Sequence, residues 1–147
     1  MSNLLSPSNP KLNVVIADDS LLVRERLVTM LGELAGVEVV DQVENGAEVI
    51  LRAIEKFQPD VVILDIHMPE GNGLEVLRTI KQDGVGPVVI ILTNYPYPGY
   101  RQKCLQAGAD FFLDKSAEFD QIPVVLKRLK QDAEFNHKRR KHGRMKE

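Results

Sequence analysis

Hydrophobic and polar positions follow two rhythms along this chain. Short, nearly continuous apolar runs occur at Leu12–Ala17, Val37–Val43, Asp60–Asp65, Pro87–Leu92 and Asp110–Leu113. Runs of this length, rich in branched residues, are the mark of strands buried on both faces. Between them, apolar residues recur every three or four positions. That spacing predicts helices over Leu21–Leu34, Ala47–Phe57, Leu74–Lys81, Tyr100–Gln106 and from Glu118 to about Phe135. Punctuation residues fit these bounds. Ser20 or Asp19 can cap the first helix, Pro59 lies just past the second, and Gly108 stops the fourth.

Five strand–helix units in succession predict an α/β fold. Parallel strands need crossover connections, which places helices on both faces of the sheet. Right-handed crossovers leave few topologies, and five units fit a flavodoxin-like, doubly wound (βα)5 sandwich of strand order 2-1-3-4-5. Residues 1–11, with two prolines, three serines and two asparagines, read as a flexible leader. The domain then spans 12–132, and 133–147 form a basic C-terminal tail.

Composition narrows the setting. The chain has 147 residues, 44% of them hydrophobic and 27% charged, which suits one globular domain. Cys104 is the single cysteine, so an intrachain disulfide and a cysteine zinc site are excluded, and Cys104 reads as a small packed residue. No signal peptide and no apolar stretch of membrane-spanning length is present, so a cytoplasmic location is expected. The net charge of −2 hides an asymmetry: Lys127–Glu147 holds nine Lys/Arg against three Asp/Glu, leaving an acidic body. The bland reading of that basic end is a solvated or frayed helix terminus. The functional one is contact with an acidic partner, nucleic acid or an anionic membrane. Residues 136–147 hold no aromatic residue, which speaks against base stacking.

In this architecture the polar residues that end apolar strands converge on one crevice. Asp18 and Asp19 follow the first strand, Asp65 ends the third, Thr93 follows the fourth and Lys115 the fifth. Three crowded carboxylates resist ionising together, and a divalent cation removes the conflict. Mg²⁺ prefers oxygen ligands and is commonly held by one or two carboxylates plus a phosphate. Phosphoryl transfer needs positioning and charge neutralisation at the equatorial oxygens, which Mg²⁺, Lys115 and Thr93 could supply. Asp65 would be the nucleophile and form an acyl phosphate. Each residue has a plainer alternative: Asp18 and Asp19 as helix caps, Lys115 as an exposed cation, Thr93 as an ordinary strand-end residue.

Four motifs in order carry a family resemblance: Ile16-Ala-Asp-Asp-Ser20, Val61-Val-Ile-Leu-Asp-Ile-His-Met-Pro-Glu-Gly-Asn-Gly-Leu74, Ile91-Leu-Thr93 and Ala107-Gly-Ala-Asp-Phe-Phe-Leu-Asp-Lys115. Across Leu12–Asp132 the chain resembles a bacterial response-regulator receiver of two-component signalling. The resemblance implies that Asp65 is the phospho-acceptor, that Asp19 binds Mg²⁺ directly and Asp18 largely through water, and that the main-chain carbonyl of His67 is a further ligand. It implies that Lys115 pairs with the phosphoryl group, that Thr93 moves toward it, and that Phe112 is the switch aromatic. A sensor histidine kinase or phosphotransfer protein would donate the phosphate, and a downstream protein target would read the switch. His67 and Tyr95 would tune phosphoryl lifetime by gating water.

With only the basic tail after the last helix, a stand-alone regulator without a DNA-binding domain is expected; dimerisation stays open. Catalysis would be limited to the protein's own phosphorylation and slow dephosphorylation. A phosphate-independent interaction module is the second reading. A Mg²⁺-dependent phosphohydrolase is the third, opposed by His67 where such enzymes place a second carboxylate. Three positions depart from the family pattern. Asn94 follows Thr93 where a small residue is usual. Pro96 and Pro98 disfavour helix at the residues before them, so the fourth helix should start late or be displaced. Ser116 replaces a proline after Lys115, so no cis peptide is assumed there. Gly71-Asn-Gly73 reads as a tight turn before a helix rather than a dinucleotide loop. His137 and His142 are assigned no metal.

Overall fold

The protein is described by a computed structural model covering the backbone of residues 11–67, 73–82, 84 and 86–146, with side chains described as far as residue 133. Strands β1 (Leu12–Ala17), β2 (Val37–Val43), β3 (Val61–Leu64), β4 (Val88–Thr93) and β5 (Phe111–Asp114) alternate with five helices. These are α1 (Leu21–Gly32), α2 (Ala47–Phe57), α3 (Gly73–Lys81), α4 (Pro98–Gln106) and α5 (Gln121–Lys146). The sheet is parallel throughout, in the order β2-β1-β3-β4-β5, as the sequence predicts.

Period-two alternation of the strands sorts the core into two layers. Val14, Ile16, Val61, Ile63, Ile90 and Leu92 pack under α1 and α5 against Leu27, Leu31, Ile122 and Leu126. Val15, Ala17, Val62, Leu64, Val89 and Ile91 face the other way, onto α2, α3 and α4. Each Ile or Leu so buried contributes roughly 1.5–3 kcal/mol of transfer free energy. Both faces of the central strands are thereby covered, which is why their sequences are apolar without alternation.

Five helix bounds differ from the sequence reading: α1 ends at Gly32 rather than Leu34, α3 begins at Gly73 rather than Leu74, and the other three lie in α4 and α5. Helix α4 begins at Pro98 rather than Tyr100. A proline at the first helical position loses no bond, because that N–H has no intrahelical partner. The helix still starts well after Tyr95, as the two prolines require. Helix α5 begins at Gln121 rather than Glu118, because Glu118 closes the preceding turn: its amide donates to the Asp114 carbonyl and its carboxylate accepts from the Asp114 amide. The same helix continues beyond Phe135 to Lys146, through a stretch rich in Lys and Arg, which are good helix formers. The expected flexible leader lies outside the described residues apart from Lys11. No helix among the described residues is long and apolar enough to cross a membrane.

Candidate functional site

The sheet's own hydrogen bonding extends one residue past three strands and fixes the site. The Asp18 amide donates to Val43 of β2 at 3.0 Å, the Asp65 amide to Ala17 of β1 at 2.9 Å, and the Lys115 amide to Thr93 of β4 at 2.8 Å. Parallel strands bring all these ends to one edge. Ser20 caps α1, its hydroxyl accepting from the Val23 amide at 3.2 Å, so the choice between Asp19 and Ser20 falls to Ser20. Asp18 is thereby released from capping, although its Oδ1 accepts from the Ser20 amide at 2.9 Å. Arg24 reaches back from α1 and donates to the Asp18 carbonyl at 2.7 Å.

Carboxylate oxygens of Asp18, Asp19 and Asp65 lie within 4.8 Å of one another. Asp18 and Asp65 are almost fully buried, at 1% and 4% exposure, and Asp19 is half-buried. The Lys115 ammonium sits between them, 2.8 Å from Asp18 Oδ2 and 3.1 Å from Asp65 Oδ2. That Asp18 oxygen finds no well-aligned donor among the described residues, so its compensation is the ammonium's charge. Asp65 Oδ1 accepts from the His67 amide at 2.9 Å. Burial pushes the Asp65 carboxyl above its ordinary range and the Asp18 charge adds to this, while the His67 amide and Lys115 act against it. Burial alone would lower the Lys115 pKa, but its pairing with Asp18 and Asp65 outweighs burial and raises it.

The donor set fits a hard divalent cation. It offers oxygen ligands only, crowded and too acidic in sum for one lysine to neutralise. Asp18, Asp19 and Asp65 are the side chains that would hold it; the carbonyl of His67 lies on the same loop, two residues past Asp65.

Thr93 is fully buried at the end of β4, with its hydroxyl accepting from the Tyr95 amide at 2.9 Å. Phe112 is turned inward, 5% exposed, in the layer beneath α2, α3 and α4, with the Arg101 guanidinium 5.8 Å from its ring centre. Asn94 is exposed and lines a cleft of about 420 Å³ with Lys115, Arg26 and Phe119. No peptide bond is cis among the described residues, Lys115–Ser116 included. Cys104 is buried in α4, as expected for a packed residue. Two features escaped the sequence. Arg24 holds the Asp18 backbone from a full helical turn away, and the rings of Tyr95 and Tyr100 close on His67. The unusual tyrosine–proline run was the available signal for the latter.

Comparisons with known proteins agree with this geometry. The profile of the response regulator receiver domain matches residues 14–127. Over 117 residues the chain is 35% identical to YvfU of Bacillus subtilis, an uncharacterized transcriptional regulatory protein, covering 80% of this chain and 58% of that protein. It is 41% identical over 106 residues to a protein-glutamate methylesterase/protein-glutamine glutaminase of Archaeoglobus fulgidus, covering 71% of this chain and 30% of the other. The crystal structure of a LuxR-family DNA-binding response regulator from Staphylococcus aureus superposes with a TM-score of 0.72 at 30% identity, over 80% of this chain and 98% of that one. The chain belongs to the response regulator receiver domain family. It spans less than two thirds of the length of these two curated relatives.

Proposed function

We propose that Asp65 accepts a phosphoryl group from a partner histidine kinase or phosphotransfer protein, and that the acyl phosphate switches a protein-contact surface or passes the phosphate onward. The supporting observation is the Lys115 ammonium held within 3.1 Å of Asp65 and 2.8 Å of Asp18 beside three clustered carboxylates. In the transfer, an Asp65 oxygen forms a bond to phosphorus as the bond from phosphorus to the donor's imidazole nitrogen breaks. The freed imidazole takes its proton from solvent. Mg²⁺ would neutralise negative charge on the phosphoryl oxygens. Lys115 would pair with one oxygen on arrival, and Thr93 is the hydroxyl that would turn toward another. Phe112 would follow Thr93 as the switch aromatic. The chain's own chemistry ends with slow hydrolysis of the acyl phosphate, and the setting is the cytoplasm.

The basic C-terminal half of α5 supports contact with an acidic partner. The test of the main reading is incubation with a small-molecule phosphodonor and Mg²⁺, followed by intact mass. A gain of one phosphoryl group that needs Mg²⁺ and disappears in Asp65→Ala is expected. No gain in a folded protein would overturn the acceptor role in favour of a phosphate-independent interaction module.

A further inference from the structure

Four aromatic rings form a closed circuit beside the carboxylate cluster. His67 meets Tyr95 edge-on, ring centres 4.7 Å apart, and Tyr100 edge-on at 4.6 Å. Tyr97 completes the circuit, 6.3 Å from Tyr95 and 6.2 Å from Tyr100. The two His67 contacts, with planes at 67° and 85°, have the favourable edge-to-face geometry of aromatic pairs, while the two Tyr97 pairs are tilted at 38° and 35°. Two loops supply the rings: His67 follows β3, and Tyr95 and Tyr97 lie between β4 and α4, where Pro96 and Pro98 restrict the backbone. Tyr100 comes from the first turn of α4.

The backbone under these rings holds the reacting groups. The His67 amide donates to Asp65, and the Tyr95 amide donates to the Thr93 hydroxyl. For Thr93 Oγ1 to leave toward a phosphoryl group, the Tyr95 amide must lose that acceptor. Because the Tyr95 ring is packed on His67, the amide is not free to follow.

We propose that the His67–Tyr95–Tyr100 ring cluster is a latch that keeps Thr93 bonded to the Tyr95 amide, making Tyr95 and Tyr100 positioning residues for phosphoryl acceptance. The inference rests on the acceptor role of Asp65. Phosphorylation and latch opening are then one coupled equilibrium: whatever weakens the rings favours the phosphorylated arrangement by the same factor. The three tyrosines, 38–59% exposed in the closed arrangement, are released together with the start of α4.

The test uses the full chain with a small acyl-phosphate donor and Mg²⁺, comparing wild type, Tyr100→Ala and Tyr100→Phe. Initial uptake is followed by intact mass, and amide hydrogen exchange is followed over residues 93–101. Losing the ring contacts with His67 and Tyr97 in Tyr100→Ala should speed uptake about 3–10-fold and raise exchange near Tyr95 before any phosphate is added. Tyr100→Phe keeps the ring and should match wild type in both. In wild type, exchange there should rise on phosphorylation. Normal uptake with unchanged exchange on phosphorylation would overturn the latch while leaving the acceptor role intact. Tyr100→Ala indistinguishable from Tyr100→Phe would overturn it too. No uptake by any of the three would overturn the acceptor role on which it rests.

Discussion

Replacing Lys115 by alanine would leave Asp18 and Asp65 buried side by side with no cation between them. Removing one partner of a buried ionic cluster costs about 3–5 kcal/mol, because the remaining charge stays desolvated. Lys115→Ala should therefore unfold at markedly lower denaturant than wild type in a chelator, and millimolar Mg²⁺ should recover part of the difference by binding only the folded state. The carboxylates themselves pull the other way. The Asp65 pKa is raised from 3.8 mainly by burial, so the folded state holds this proton more tightly than the unfolded chain. This carboxyl favours the metal-free folded state at low pH, and its contribution is lost as pH rises through the raised value. Asp65→Asn should match wild-type stability in acid and exceed it by about 1 kcal/mol near neutral pH, as chelator-containing denaturant titrations across the pH range would report. Lys115 has the same sense in a higher pH window. Its pKa is raised above 10.5, so its stabilisation is present below that value and disappears as pH climbs through the raised one.

At the scale of elements, the entry to α3 is the tightest junction next to the site. A Cβ on Gly73 would stand 2.5 Å from the Ile66 carbonyl oxygen, one residue past Asp65. The obstruction is backbone and cannot swing aside. Gly73→Ala should cost about 1–3 kcal/mol and displace the loop carrying His67, seen as lower thermal stability and slower phosphoryl uptake together. The apolar runs announced the strands, and their polar endings announced Asp18, Asp65, Thr93 and Lys115, because a parallel sheet leaves such residues one edge to occupy. The start of α4 was narrowed but not fixed: two prolines forbid helix before them, yet either can open one. The ring circuit was signalled only by the unusual tyrosine–proline run, since His67 lies on a separate loop and shares no periodicity with the tyrosines, of which Tyr100 belongs to α4. Arg24 was hidden for a similar reason, because a polar residue on an amphipathic helix reads as solvated until the helix is docked.

For the whole molecule, charge and packing divide along α5. Ile122, Val125, Leu126 and Leu129 anchor its first turns to the sheet. Residues 136–147 carry six Lys/Arg and one acid, with no aromatic and only Met145 and Gly143 among uncharged non-histidine residues after Asn136. Deleting 136–147 should leave stability within about 0.5 kcal/mol and phosphoryl uptake unchanged, while the proposed contact with an acidic partner, salt-sensitive if it forms, should be lost. Size-exclusion and binding measurements at two ionic strengths would check this. One contact also bears on the order in which the molecule assembles. Lys115 reaches from beyond β5 across two intervening strands to Asp18 after β1, and its other partner Asp65 is 50 residues away in sequence. Loops that long close late on the way to the native state. The acidic crevice is therefore completed only after the sheet has formed. On the proposed function, a chain caught partway would have no place to take up the ion or the phosphate, so phosphoryl acceptance would itself report that folding has finished.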